Sequence, residues 1–596
     1  MEGNDVVPRT FRALAESAEK KFARVRDLPA YGTGAPTEHY FHKVFKAYMR
    51  LWKFQQQNRG KLVDSGLQRW EIGEIASRIG QLYFSQYMRT SEARFLFESY
   101  IFYEAILNRK YFEGSGKDRG VRFKELRFYA RFLTVSLILN RSEMVKLLVD
   151  RFKSLVDDSK STFADTNFKE LKLVVQELVR FTKADFSSLI VRPLRYCAFF
   201  DSHPLSRPYV ARFHANKVLK FQDALLTSYH KNEVKFAELT LDTFRMMQCL
   251  EWEPSGSFYQ KTQAESREDG LLADQSLTSG LIDINLAADM MDPNLPPNPK
   301  KAVLYRPSVP HLIAVIAKII EELPSESVIL LYLSASGSAG QTSSSLMGNS
   351  TSSRKFVKPT ALSQTSQKQN SSLHENHISG KGDSTGYFEN YLGLGPSRTG
   401  GLNNLYPGDL IPFTRRPLFI IIDSDNSHAF KVLQGAERGE RCALLLSPLR
   451  PLFKKPSSGA MRNGSQFTFF LAAPLQAFCE LVGINPIDDD LEHYNDAESI
   501  ISTAFSEWEI MLCTTTSLDL VWAQVLSDPF LRRLLLRFIF CRAVFTLFCL
   551  REDSDQYLPV CLPELPDSFS PNSISVQPVI RRLANHLNVA NCFRVR

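Results

Sequence analysis

No two cysteines in this chain form a C-x-x-C pair, no G-x-x-x-x-G-K-S/T loop occurs, and no long apolar run is free of charged residues. Each absence removes a class of function. The nine cysteines are scattered through 596 residues, an odd count that suits reduced thiols of cytosol or nucleus better than a disulfide framework. Neither a structural disulfide nor a zinc knuckle is expected. Without the phosphate-cradling glycine loop, nucleotide binding by that route has no support, and Gly114-x-Gly116 lacks the preceding strand that a dinucleotide site needs. Ser447-Pro448 and Ser334-x-Ser336 lack the elbow glycines of a hydrolase nucleophile. The amino-terminal stretch MEGNDVVPRTFRALAESAEKKF has early acidic residues and no continuous apolar core, so it does not read as a secretory signal, and the chain is expected to remain inside the cell.

Charge is also scarce as a signal. Lys and Arg number 72 against 64 Asp and Glu, a net +8 spread over a long chain. A dedicated nucleic-acid binder concentrates its cations, so direct nucleic-acid binding is not expected. The most apolar long segment, Phe530 to Leu550, carries Arg532, Arg533, Arg537 and Arg542, each costly at a bilayer centre. A buried amphipathic helix is expected there, and no membrane span.

What is present changes character near the middle. From Glu38 to Gln56 the residues Phe41, Val44, Phe45, Tyr48, Leu51 and Trp52 recur at steps of three and four, which puts them on one helix face. Similar patterns run over Leu67 to Met88, Ser91 to Tyr111, Phe123 to Leu139, Ser142 to Phe152 and Asn167 to Phe181, with short polar or glycine-containing joints. The Ser91 to Tyr111 segment looks like one helix of a tetratricopeptide-type pair, but no repeat near 34 residues follows. Between Tyr196 and Pro254 the chain mixes Pro204 and Pro208 with a long helical pattern. The aromatic stripes are those of ordinary helix packing.

Beyond the cluster Pro293, Pro296, Pro297 and Pro299 the period shifts. Ala302 to Tyr305, Ser327 to Leu333, Pro417 to Ile422 and Cys442 to Leu446 read as short buried strands alternating with helices such as Val309 to Leu323, the pattern of a parallel sheet covered on both faces. Residues 341–380 hold eleven serines and too little apolar surface to offset the entropy of ordering. The expected fold is thus α plus α/β: an amino-terminal all-helical region, an irregular solenoid or bundle, followed by a largely parallel α/β sheet domain interrupted by a disordered insert. The boundaries fall as a flexible amino-terminal segment at 1–37, a helical scaffold domain at 38–254, a polar and Pro-rich linker at 255–300, the first part of the α/β domain at 301–336, a disordered Ser-rich insert at 337–404, and the second part with carboxy-terminal helices at 405–596.

One loop could carry chemistry. The strand at Pro417 to Ile422 runs into Asp423-Ser424-Asp425-Asn426-Ser427, and ligands of open parallel sheets gather at the carboxyl ends of strands. Two carboxylates there suit a hard cation such as magnesium. Asp423-x-Asp425 resembles the nucleophile strand of haloacid-dehalogenase-type phosphatases, and Asp423-x-x-x-Ser427 resembles the metal site of von Willebrand A domains. Ser447, Lys454, Lys455 and the run Asp488, Asp489, Asp490 would be the supporting parts of a magnesium-dependent phosphatase. Each has a plain alternative as a helix cap, solvated loop or helix-start charge. His374 and His377 make a pair without further ligands. Arg532, Arg533 and Arg537 could offer a basic ridge to phosphates or to an acidic protein surface; alternatively they pair with acidic residues at the domain surface. No catalytic, cofactor-binding or metal-ligating residue is assigned, and no cofactor is expected.

Several uncommon strings occur in order: LWKFQQ at 51–56, VKFAELT at 234–240, LYLSASG at 331–337, YPGDL at 406–410 with PFTRRPLFI at 412–420, and FLRRLL at 530–535 with FIFC at 538–541. Through them the chain resembles the suppressor of cancer cell invasion (SCAI) family over most of its length. The resemblance implies a nuclear and cytoplasmic transcriptional corepressor that acts by protein-protein binding. Animal members inhibit the myocardin-related coactivator of serum response factor downstream of Rho signalling, restrain cell migration and take part in DNA double-strand-break repair. The expected partners are transcription coactivators or chromatin proteins.

Overall fold

The computed structural model describes residues 6–26, 35–114, 118–163, 169–186, 219–252, 297–337, 390–396, 403–435, 442–450, 464–484, 491–548 and 554–593. The first part is helical throughout: α1 (Val6–Arg26), α2 (Ala35–Gln57), α3 (Arg59–Asp64), α4 (Arg69–Thr90), α5 (Ala93–Asn108), α6 (Arg119–Ile138), α7 (Ser142–Thr162) and α8 (Lys169–Phe186). Apolar residues at steps of three and four dictate these helices, and their aromatics meet where the stripes face each other. Trp52 lies edge-on to Phe102 with ring centres 5.8 Å apart, and Tyr103 tilts against Phe132 at the same distance. The α4–α5 hairpin closes tightly because Gly80 has no side chain. A Cβ there would stand 2.9 Å from the Tyr103 ring, and Ser99 Oγ donates to the Gly80 carbonyl at 2.8 Å.

Residues 1–37, expected to be flexible, contain α1. Its buried Phe11, Ala18, Phe22 and Val25 recur at helical spacing and pack on α2, with Phe22 edge-on to Tyr48. Four buried positions diluted among charged ones hide the helix from a search for apolar runs. A lone helix is marginal in water, and tertiary packing supplies most of its stability.

The sheet contains β1 (Lys220–Tyr229), β4 (Lys300–Tyr305), β5 (Ser327–Ala335), β8 (Leu418–Asp423), β9 (Ala443–Leu446) and β10 (Val560–Leu562), in the order β4-β1-β5-β8-β9-β10. All pairings are parallel except the last, β9 with β10. Two short antiparallel pairs flank it, β2 (Lys235–Phe236) with β3 (Leu239–Thr240), and β6 (Leu392–Gly393) with β7 (Asn404–Leu405). The remaining helices are α9 (Leu241–Cys249), α10 (Val309–Glu322), α11 (Pro407–Leu410), α12 (Gln466–Ala472), α13 (Pro474–Val482), α14 (Leu491–Thr514), α15 (Leu520–Val525), α16 (Pro529–Phe548) and α17 (Gln577–His586).

Because successive strand residues point to opposite faces, β5 and β8 feed two cores. Val328, Leu330, Tyr332, Phe419 and Ile421 join the core shared with the helical part and with α12 and α16. Ile329, Leu331, Leu333, Ile420 and Ile422 join a second core under α10. Two covered faces explain why these strands are unbroken apolar runs.

The helical region does not extend to residue 254. β1 sits between β4 and β5, inside the sheet, so the α/β part has begun by Lys220. Asp223, Thr227 and Ser228 interrupt the apolar run of β1, which disguised a buried strand as mixed helical chain. A buried polar joint ties the two parts together. Glu251 accepts from the Tyr87 hydroxyl and lies 3.3 Å from Lys301 Nζ, with both members of the ion pair shielded from solvent. Residues 390–396, within the segment read as insert, are described and paired to the sheet: Gly393 N donates to the Ser336 carbonyl at 3.0 Å. The linker up to residue 296, insert residues 338–389 and 397–402, Lys454, Lys455, His374, His377 and Asp488 to Asp490 lie outside the described residues.

Candidate functional site

Counting only the strands of the main sheet in chain order, the parallel portion reads 2-1-3-4-5. In this doubly wound order the switch point lies between the first and third strands, and ligands of such folds bind at the carboxyl ends there. Those ends are Tyr229 of β1 and Ala335 of β5. His230 spans them, with Nδ1 3.1 Å from Ser336 Oγ and Nε2 2.9 Å from Ser334 Oγ. The His230 amide donates to Glu233 at 3.0 Å, and burial pushes the Glu233 carboxyl up to about 7. A cavity of about 370 Å³ opens beside it, lined in part by Tyr229, His230, Lys235, Tyr305 and Arg306, with Arg180 from the helical part at its edge. Sequence reasoning missed this corner because it depends on β1.

Asp423 ends β8 and is only 7% exposed. Thr468 Oγ1 on α12 donates to Asp423 Oδ2 at 2.6 Å, and the Tyr332 hydroxyl lies 2.7 Å from the same Thr468 oxygen. A threonine hydroxyl has one proton, so with Thr468 donating to Asp423 the tyrosine must donate to Thr468. The result is a relay Tyr332 to Thr468 to Asp423. Burial, and then the nearby charge of Asp242, push the Asp423 carboxyl up to about 6. Asp242 is itself engaged, accepting from the Ser465 amide at 2.8 Å.

Asp425 is bound to a different element. Its Oδ1 accepts from the Gly337 amide at 2.5 Å and ties the end of β5 to the loop after β8. Gly337 is required by this approach, since a Cβ there would lie 2.3 Å from Asn426 Cβ. Ser447, at the end of β9, accepts from the Ser424 amide at 2.9 Å and donates to the Ser424 carbonyl at 3.1 Å. Ser427 donates to the Ser447 carbonyl at 2.7 Å. Of the residues singled out for phosphatase chemistry, Asp423, Asp425, Ser427 and Ser447 therefore lie along the carboxyl edge of the sheet, each held by hydrogen bonds to protein groups. Among the described residues, no group of three or more His, Cys, Asp or Glu side chains is arranged to hold a metal ion.

The arginine ridge expected on the last long helix is an interior feature. Arg532 and Arg533 are 3% exposed and Arg537 is 7% exposed. Arg532 donates to the Leu526 carbonyl at 2.7 Å, just past the end of α15, and pairs with Glu509 at 3.0 Å. Arg533 donates to the carbonyl of Cys249, the last residue of α9. Arg537 donates to the Leu471 and Ala472 carbonyls at 3.1 and 2.9 Å, at the end of α12. Three helices thus end on α16, and their unpaired carbonyls and negative dipole ends call for cations. These arginines are unavailable to an acidic protein surface. Arg533 and Arg537 stand one turn apart on one face of α16, as a ridge would, so their spacing gave no local signal of this burial. Among the described residues, no helix is long and apolar enough to cross a membrane.

The family model described as Protein SCAI matches residues 13–551. Protein SCAI of Homo sapiens is 34% identical over 596 aligned residues, covering 98% of this chain and 89% of the human protein. Protein SCAI of Mus musculus is similar to the same extent. The Protein SCAI homolog of Dictyostelium discoideum is 28% identical over 718 aligned residues, with 98% of this chain and 90% of the relative covered. No solved structure matches the chain.

Proposed function

The chain belongs to the SCAI family, and from that premise we propose that it is a transcriptional corepressor that works by binding other proteins and performs no covalent chemistry. Its partners are transcription coactivators or chromatin proteins, met in nucleus and cytoplasm. In animal relatives of this type the coactivator would be the one that serves serum response factor under Rho control. One observation carries the non-catalytic part of this reading. Asp423, the acid best placed for a nucleophile, is enclosed and held by Thr468, with Tyr332 behind it. A phosphatase nucleophile must meet substrate and cation, and this one meets protein.

Tethering the full chain to a DNA-binding domain upstream of a reporter tests the proposal. Repression is expected, undiminished in Asp423→Asn, together with no turnover of a chromogenic phosphomonoester in magnesium. Absence of repression by the wild-type chain would remove the corepressor reading. Turnover that disappears in Asp423→Asn would put a phosphatase in its place.

A further inference from the structure

α1 and α2 lie side by side, and between them runs a groove of about 460 Å³. Its rims are Lys21 and Arg24 from α1 and Lys43, Lys46 and Arg50 from α2. Its floor is apolar, formed by Leu14, Val44 and Ala47, with Tyr40 standing 46% exposed at one side. Among the described residues, no carboxylate lines it.

The single sign follows from the sequence. α1 holds six Lys and Arg against Glu16 and Glu19, and both acids are engaged elsewhere. Glu16 pairs with Lys20 at 2.6 Å, and Glu19 accepts from the Tyr48 hydroxyl at 2.9 Å. α2 holds four cations and one acidic residue, Glu38. Steps of three and four place Lys43, Lys46 and Arg50 on one face, as they do Lys21 and Arg24. Like charges facing each other across a narrow groove repel, and an anionic guest relieves that repulsion. The floor specifies the rest of the guest. Sugar-phosphate backbone has no use for an apolar floor, whereas an amphipathic helix lays its apolar face into such a groove. From Lys43 to Arg50 and from Leu14 to Arg24 the lining covers about 10 to 15 Å of helix axis, enough for two to three turns of a guest helix.

We propose that the α1–α2 groove docks an acidic amphipathic helix of a partner protein. The proposal rests on the corepressor reading and names the chemistry of the partner that reading requires.

The test is fluorescence anisotropy with the full chain and a labelled synthetic peptide of about four helical turns, with Leu at i, i+3, i+4 and i+7 and Asp or Glu elsewhere. Binding is expected to weaken as salt rises, and to weaken about tenfold or more in the combined Lys43→Glu, Lys46→Glu, Arg50→Glu variant. All three residues are exposed, so its melting curve should match the wild type. Tyr40→Ser should weaken binding while preserving the salt dependence, and Lys153→Glu, on exposed α7 surface, should change nothing. Equal peptide binding by wild type and triple variant overturns the proposal, as does no binding by the wild type. Tighter binding of duplex DNA, lost in the triple variant, would make the groove a nucleic-acid surface instead. Residues 264–292 hold seven Asp and Glu against one Arg, and peptide binding that appears only once they are replaced by Gly and Ser would make that stretch of the chain the occupant. If peptide binding fails while tethered wild-type chain still represses the reporter, the groove proposal falls and the corepressor reading stands.

Discussion

The carboxyl edge of the sheet and the α1–α2 groove use charge in opposite ways. At the sheet edge, and on α16 beneath it, Asp423, Asp425, Arg532, Arg533 and Arg537 each have a protein partner within hydrogen-bond distance, and the enclosed ones are part of the core. In the groove, five cations of one sign face solvent or a half-open wall, with no lining carboxylate among the described residues. Enclosed charges hold the fold together, because removing one partner strands the other in a poor solvent. Open charges contribute little to stability and remain free to select a partner. Asp423, Asp425 and the arginines of α16, which look chemical in the sequence, are held by protein partners, whereas the exposed charge lies on α1 and α2.

The sharpest break of this comparison is Arg532→Leu. It leaves Glu509 buried without its cation and the end of α15 without its cap, and it should destabilise the chain by about 3–5 kcal/mol in urea unfolding. Adding Glu509→Leu should restore most of that loss. A cost for Arg532→Leu no larger than that of a surface arginine would refute the division between the two regions.

Next in size is a pH effect at Asp423. The folded chain holds this proton up to about pH 6, against an ordinary aspartate value of 3.8. Its contribution therefore favours the fold at low pH and is lost as pH rises from about 4 through about 6, a change on the order of 2–3 kcal/mol. Asp423→Asn cannot titrate, so its stability relative to wild type should rise across that window. Parallel unfolding curves for the two chains from pH 4 to 7 would contradict the burial argument.

Smaller still, Tyr332→Phe removes the first donor of the relay and should cost about 1–2 kcal/mol, with the loss read from the shift in unfolding midpoint. At the far end of the scale, Lys43→Glu or Lys46→Glu in the groove should leave stability within about 0.5 kcal/mol of wild type. Stability losses there approaching that of Arg532→Leu would mean that the groove cations are packed and not poised.

Much of the fold was legible. The helices α2 and α4 to α8 and the strands β4, β5, β8 and β9 follow from periodicity alone, because each buries a stripe or a run whose spacing is local. α1 and β1 were not, since four spaced apolar residues and a strand interrupted by Asp223, Thr227 and Ser228 acquire meaning only against α2 and between β4 and β5. The site was legible in part. The position of Asp423 at a strand end could be read, but its engagement by Thr468 depends on a residue 45 positions away.

The amino-acid order by itself determined the two architectures, the family and the helix that carries the arginines, because these rest on spacing between near neighbours. Only the tertiary structure decided which charges are enclosed and which are open. Burial depends on what packs over a residue. Three helix ends converging on α16 turned a basic ridge into a set of caps, and a single helix laid beside α2 produced a groove of one sign.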